Sequence, residues 1–330
     1  MRQQLDKRST EMPDNRSLHE VKKKTGSFWL SFLKRLIKER PWGSIGGAIM
    51  LIILFVGIFA NALAPYGMNE TNVAVKLSPP SSQHLLGTDH LGRDILSRII
   101  YGARISVIVG LSASVIATAL NILIGVVSGY VGGKLDMIVQ RLVDAMLCIP
   151  NLILLMVVIT VIGPGMWQII VVLGISWGIN ASRVIRSAVI GIMANPYVDA
   201  AKAIGTSTPM ILFRHVLPNI MAPTIIVFTV RVPAVILAEA ALSFLGLGIP
   251  PPAPSWGGML SGAGRAYMFE APWMAFWPGL ALALVVYFVN MFGDAVRDIL
   301  DPRMRGGGGR FGRVVRNANS SVKGRKLPPQ

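Results

Sequence analysis

Residues 44–64 read Ser-Ile-Gly-Gly-Ala-Ile-Met-Leu-Ile-Ile-Leu-Phe-Val-Gly-Ile-Phe-Ala-Asn-Ala-Leu-Ala, 21 residues without a single charge. An α-helix rises about 1.5 Å per residue and a bilayer core is about 30 Å thick, so roughly 20 apolar residues cross it. The stretch therefore reads as a transmembrane helix, and comparable runs recur down the chain. A second is expected over Ile105–Val127, where Gly110, Ser112, Ala113 and Ser114 allow a neighbouring helix to approach closely. A third is expected over Leu142–Ile162, kinked at Pro150, and a fourth from Met166 to about Ser182 with a helical extension to Met193. A fifth follows over Ile220–Leu247 and a sixth over Trp273–Phe292. The chain of 330 residues is 52% hydrophobic, with a mean hydropathy of +0.56. That is too apolar for an ordinary soluble surface, so the expected class is an all-α integral membrane protein with about six spans.

The segments outside the spans divide the chain. Residues 1–43 form a basic tail in which Phe28–Ile37 has the alternation of an interfacial amphipathic helix. Residues 65–104 form a polar loop, 105–293 a five-helix core, and 294–330 a second basic tail. Ala60, Ala62 and Ala64 imitate a signal-cleavage site. However, the basic leader runs about 40 residues and the apolar run exceeds the usual 7–15, so an uncleaved first span is expected.

A net charge of +16 raises nucleic-acid binding as one reading. The distribution of charge argues for a lipid partner instead. Of 32 Lys and Arg, 11 lie in the first 40 residues and nine from Arg297 onward, both beside apolar spans. With six spans the two termini share a side. The segments on that side hold 11, two, four and nine basic residues, against four, none and one opposite. Positive charge is retained in the cytoplasm, so both termini are expected there.

Convergent catalytic chemistry is not visible. The single Cys148 excludes an internal disulfide or CxxC pair and reads as a small packing residue. His19, His84, His90 and His215 are scattered, with no metal-ligand spacing, and no GxxxxGK[ST] phosphate loop occurs. No catalytic, cofactor-binding or metal-binding residue is therefore assigned, and energy must come from a partner or an ion gradient. Arg231 and Glu239 stand out, because an ionisable side chain inside a span costs about 2.5–3.5 kcal/mol on insertion scales. They either line a pathway or subunit interface, or bond to a neighbouring helix.

Between the fourth and fifth spans, residues 194–218 carry a distinct pattern. Asn195 is a good N-cap and Pro196 suits the first helical turn; Tyr197–Ile204 then reads as a short helix ended by Gly205. Thr208-Pro209 repeats the signal for a second short helix closed by Pro218. A helix-turn-helix knob pinned between two membrane spans, with few positive charges, suits a protein partner better than DNA.

The order Asp199-Ala200-Ala201, three residues, Gly205, nine residues, then His215-Val216-Leu217-Pro218 resembles the cytoplasmic loop of ABC-importer permeases. That family's pattern is Glu-Ala-Ala, three residues, Gly, nine residues, Ile-x-Leu-Pro. Asp199 replaces Glu and keeps the carboxylate. His215 replaces Ile and, followed by Leu-Pro-Asn, resembles the dipeptide/oligopeptide/nickel branch. Three further stretches resemble that branch: LLGTDHLGRD over Leu85–Asp94, AEAALSFLGLGIPPPAPSWG over Ala238–Gly257, and Asp301-Pro302-Arg303.

The resemblance implies a type I importer permease fold paired with a homologous permease subunit. Two ATP-binding subunits would carry ATP and Mg, and an extracytoplasmic solute-binding protein would deliver cargo. Tyr197, Asp199, Ala200, Ala201, Gly205, Leu217 and Pro218 are then expected to couple to an ATPase. Asp89, Arg93 and Asp94 are expected at the docking face of the binding protein, or alternatively in a structural lid. Asp89 is expected to cap a helix running to Arg104, with Leu91, Ile95, Ile99 and Ile100 on one face. The cargo is open among dipeptides, oligopeptides, glutathione, nickel complexes and sugars. The location implied is a bacterial or archaeal inner membrane. An ion-coupled secondary transporter is the main alternative, and a membrane enzyme a more distant one. Trp256, Trp273 and Trp277 suit an interfacial aromatic belt.

Overall fold

The computed structural model describes residues 28–71, 73 and 75–300. Residues 1–27 of the first basic tail and 301–330 of the second, and with them Asp301-Pro302-Arg303, lie outside the described residues. Among the described residues every regular element is helical, apart from one isolated bridge between Thr88 and Asp94.

Helix α1 (Phe28–Glu39) precedes α2 (Pro41–Ile58), which continues after a break as the short α3 (Ala60–Leu63). After a long loop come α4 (Ile95–Val131), α5 (Gly133–Leu147), α6 (Asn151–Ile162) and α7 (Met166–Met193). The knob follows as α8 (Pro196–Ala203) and α9 (Thr208–Ile211). A π-helical turn (Leu212–Val216) leads directly into α10 (Leu217–Phe244). Two short helices, α11 (Trp256–Leu260) and α12 (Ala263–Ala266), precede α13 (Trp273–Leu300). Five helices are long and apolar enough to cross a membrane, and the α5–α6 pair makes up to six.

The centre is the pairing of α4 with α7. In lipid no hydrophobic gain favours helix association, so close van der Waals approach must supply it, and small residues permit that approach. The two helices run side by side in register. A Cβ placed on Gly174 would lie 2.6 Å from Ile116, one on Gly178 2.8 Å from Leu120, and one on Gly125 2.8 Å from the Ser182 carbonyl. Ala113, Ala117 and Asn121 continue the same buried stripe of α4 at four-residue spacing. Helix α10 closes a second interface on α4, where Val232 and Ile236 join Ala103, Val285, Val289 and Trp256 in one apolar cluster.

Several expectations need correction. The second span starts at Ile95, ten residues before the expected Ile105, because its charged first turns are satisfied by the tertiary structure. Arg104 donates to the Gly57 and Ile58 carbonyls and to Asn61, binding α4 to the end of α2. Asp94, not Asp89, is the N-cap, accepting from the Ser97 amide at 2.8 Å. Helices α5 and α6 meet at 89°, so Pro150 marks a break and not a kink. Cys148, at that break, is exposed and not a packing residue.

Asn195 precedes α8 without capping it; its amide turns back to the carbonyls of Gly191 and Ile192 at the end of α7. The second knob helix is not closed by Pro218 but runs without interruption from Thr208 to Phe244. The indoles of Trp256 and Trp273 are clamps within the protein, donating to the Ile99 and Thr88 carbonyls at 3.1 and 3.2 Å.

Candidate functional site

The knob stands at the end of the bundle shared by the C-terminal ends of α4, α7 and α13. Tyr130, near the end of α4, donates to Thr208 at 3.1 Å. Helix α1 meets the same end, where Leu36 packs on Ala295 and Ile299, and Arg40 pairs with Asp298 at 3.0 Å. The two ends of the described chain therefore lie on one side of the bundle.

Within the knob, Val198, Ile211 and Val216 are fully buried against Ile185 and Val189 of α7 and Ile220 of α10. Helix α8 ends in a Schellman arrangement: the Gly205 amide bonds the Lys202 carbonyl and the Thr206 amide the Ala201 carbonyl. This requires the left-handed backbone that Gly205 adopts at φ +81°.

The outward face carries Tyr197, Asp199 and Ala200. Ile204 at 83% and Phe213 at 71% exposure extend it. Asp199 pairs with Lys202 at 3.3 Å, and the Tyr197 and His215 rings are 5.8 Å apart. Ala201 is turned inward. Leu217 and Pro218 belong to the long helix, Leu217 half-buried and Pro218 exposed. The knob thus leaves large apolar side chains, Ile204 and Phe213 among them, exposed on a projecting element.

In the middle of the bundle, Arg231 and Glu239 lie on α10 but do not pair. Eight residues of helix separate them by about 12 Å. Both are buried within this chain's own packing, at 6% and 0% exposure. The Arg231 guanidinium sits 6.0 Å from the centre of the Trp177 ring of α7, a cation–π distance. Glu239 accepts from Ser243 at 2.6 Å through one oxygen, while the other has no partner among the described residues. Ser114, Thr118 and Asn121 of α4 and Asn180 of α7 also hold buried, unbonded polar atoms.

At the opposite end, the loop before α4 folds around two carboxylates. Asp89 accepts from the amides of Leu91 and Arg93 through Oδ1 and from Arg93 Nε at 2.6 Å through Oδ2, with Arg98 Nε 3.8 Å away. Asp94 bonds His84 Nδ1 at 3.1 Å and both the amide and the hydroxyl of Ser97. Asp89 and Asp94 are almost fully buried, so they brace the loop from within. The loop shares a cavity of about 410 Å³ with the segment after α10. His90 lines it, stacked on Tyr267 with ring centres 6.0 Å apart. Burial is the main cause holding His90 below the ordinary histidine pKa; Asp89 opposes the shift, while Arg93, Arg98 and Lys76 add to it.

Sequence reasoning did not find the ties of α5. Asp136 receives a two-pronged contact from Arg186 of α7 and a hydroxyl from Ser128, and Asp144 pairs with Arg183. A lone carboxylate beside an apolar run, with arginines flanking the next span, was the available signal. Among the described residues no group of three or more potential ligands could hold a metal ion.

Several helices long and apolar enough to cross a membrane, with a projecting helical knob at one end and a braced loop at the other, define an integral membrane protein. The comparisons with known proteins specify it. Residues 121–306 match the family described as binding-protein-dependent transport system inner membrane component, and residues 27–80 match the N-terminal TM domain of oligopeptide transport permease C. The chain belongs to the binding-protein-dependent transport system inner membrane component family.

It is similar to a di/tripeptide transport system permease protein of Pseudomonas aeruginosa, 40% identical over 285 residues, covering 84% of this chain and 92% of that protein. An oligopeptide transport system permease protein of Bacillus subtilis is 35% identical over 286 residues, covering 87% and 93%. A dipeptide transport system permease protein of Haemophilus influenzae is 38% identical over 284 residues, covering 84% and 94%. The protein is thus a non-catalytic inner-membrane subunit working with other subunits of its system.

Proposed function

We propose that the chain is one permease subunit of an ATP-driven peptide importer, forming half of the pathway with a homologous permease. The observation that carries the reading is the knob, Pro196–Val216, with Ile204 exposed at the end of α8 and Phe213 exposed on the helix that continues through the bundle. A soluble ATPase can grip such a handle. Tyr197, Asp199, Ala200 and Gly205 form the gripped part, while Ala201, Leu217 and Pro218 hold it on the bundle. Two ATPase subunits supply ATP and Mg; this chain contributes mechanical transmission.

The excess of Lys and Arg on the knob side supports a cytoplasmic position for that side and for both termini. The opposite loop then faces the solute-binding protein. Asp89, Arg93 and Asp94 serve that docking face by fixing the loop's shape, since their side chains point inward. Arg231 and Glu239 set the polarity of the helix core beside the pathway. Peptide is the cargo because the similar permeases are named for peptides, dipeptides and oligopeptides.

The test is to co-purify the chain with its partners, reconstitute the complex in vesicles and supply labelled dipeptide. ATP-dependent uptake requiring the binding protein is expected. Uptake driven by an ion gradient with no ATPase present would overturn the reading in favour of a secondary transporter.

A further inference from the structure

The cavity at the loop end holds an imbalance of charge that the fold itself does not use. Two guanidinium groups, Arg93 and Arg98, line it beside one carboxylate, Asp89. Asp94 does not reach it, being occupied by His84 and Ser97. Asp89 already accepts from two amides and Arg93 Nε, with Arg98 Nε 3.8 Å away, so its single charge is shared between two guanidinium groups. Arg93 spends only Nε on that contact, so among the described residues its two terminal amino groups have no hydrogen-bond partner. Arg98 donates one terminal nitrogen to the Met68 carbonyl at 3.3 Å. The Nδ1 atom of His90 is buried and unbonded. Buried polar groups are normally satisfied, and an arginine fork matches a carboxylate in shape as well as charge.

The remaining wall is apolar and preformed, built from Ile249, Pro250, Pro251, Pro254 and Met259. A volume of about 410 Å³ lies within the range of small-ligand sites, about 300–1,000 Å³. Apolar walls with a few convergent polar groups are what such sites share.

We infer that this cavity is a binding site for the carboxylate of a small peptide, with Arg93 as the principal contact and Arg98 and His90 completing the polar side. The floor includes Ser243, which bonds the buried Glu239 of α10. An occupied site therefore touches the same helix that ends in the knob. The inference rests on the peptide-import reading for its ligand, and the experiment separates the two.

The complete transporter, with its partner permease and ATPases but without the solute-binding protein, is held in nanodiscs. Binding of a labelled dipeptide and of its C-terminal amide is measured by equilibrium dialysis. Wild type is expected to bind the acid more tightly than the amide. Arg93→Gln is expected to weaken binding of the acid roughly 10- to 100-fold, the range for losing a charge-assisted hydrogen bond, and to leave the amide's affinity in place. Arg93→Lys should recover part of the preference. Ala253→Phe, which fills the cavity without altering charge, should weaken acid and amide alike.

Equal affinities for acid and amide in the wild type would overturn the inference, as would equal losses for both in Arg93→Gln. So would an unchanged affinity of Arg93→Gln for the acid; a defect seen only when the binding protein is then added and its association measured would make an acidic side chain of that protein the occupant. The peptide-import reading is judged separately, by ATP-driven uptake in the wild-type complex with its binding protein.

Discussion

Replacing Gly205 by valine isolates a backbone effect at the knob. Gly205 has φ +81°, and a Cβ placed there meets nothing within 4 Å. The substitution therefore introduces no clash with the rest of the protein, and its whole cost is local. A left-handed backbone costs an L-residue about 1–2 kcal/mol, and a β-branched one falls at the upper end. The two hydrogen bonds closing α8 depend on that conformation, so relaxing the strain forfeits them at about 1 kcal/mol each. Helix α8 has only eight residues, with Val198 and Ala201 as its buried anchors, and an isolated helix of that length is not stable in water. A loss of about 2–3 kcal/mol corresponds to a 30- to 150-fold fall in the ordered fraction's equilibrium constant.

The expected outcome is a protein that still inserts and keeps its melting transition. It loses ATPase association and ATP-driven uptake, and amide hydrogen exchange in residues 196–206 accelerates by a similar factor. Gly205→Ala should fall between wild type and valine. Unchanged exchange and uptake in the valine variant would refute the argument from backbone strain.

Three further outcomes follow from the packing and charge. Asp199→Lys should place like charges beside Lys202 and abolish uptake while the purified protein keeps its helical circular dichroism. Gly178→Ala should force α4 and α7 apart at Leu120 and Ala117, lowering stability in detergent by about 1–3 kcal/mol as read from denaturant unfolding. For His90, the folded pKa lies below the unfolded value near 6.5, so its contribution to stability is complete above that pH. That contribution is lost as the pH falls toward the lowered folded pKa. Unfolding followed between pH 8 and 5 should show this loss in the wild type and a smaller one in His90→Gln.

The spans were legible because hydrophobic composition alone decides them: Met166–Met193 and Trp273 onward needed no tertiary information, and the first span was found although its helix runs over Pro41–Ile58 and breaks at Phe59. A helix running to Arg104 was expected, but its fusion with the second span into α4 was not legible. Hydropathy rejects Arg98 and Arg104, yet carbonyls of the preceding loop and helix satisfy both. Pro209 was legible as the start of a helix, whereas Pro218 read as a stop because proline lacks the amide that continues a helix. In the structure Pro209 occupies a first turn, and a π turn immediately before Pro218 carries the chain past the break. The knob's glycine was readable from its position after an alanine-rich turn. The cavity was not, since it joins residues 89–98 to residues 243–264 through tertiary folding alone. The inward turn of Asp89 and Asp94 was equally hidden, because a DHLGRD string looks like a charged surface until its amides are seen to close on the carboxylates.

The uninterrupted helix from Thr208 to Phe244 has 37 residues and so spans about 55 Å. In the proposed coupling it is a lever with the handle at one tip and Ser243, at the cavity floor, at the other. Tilting such a rod by about ten degrees around its midpoint displaces each tip by about 5 Å, without any side chain relaying a signal. Pro223 and Pro233 lie between the two tips, and each omits one rung of the hydrogen-bond ladder. In that proposal, the stroke carried from one end of the bundle to the other is tuned by how far those two joints yield.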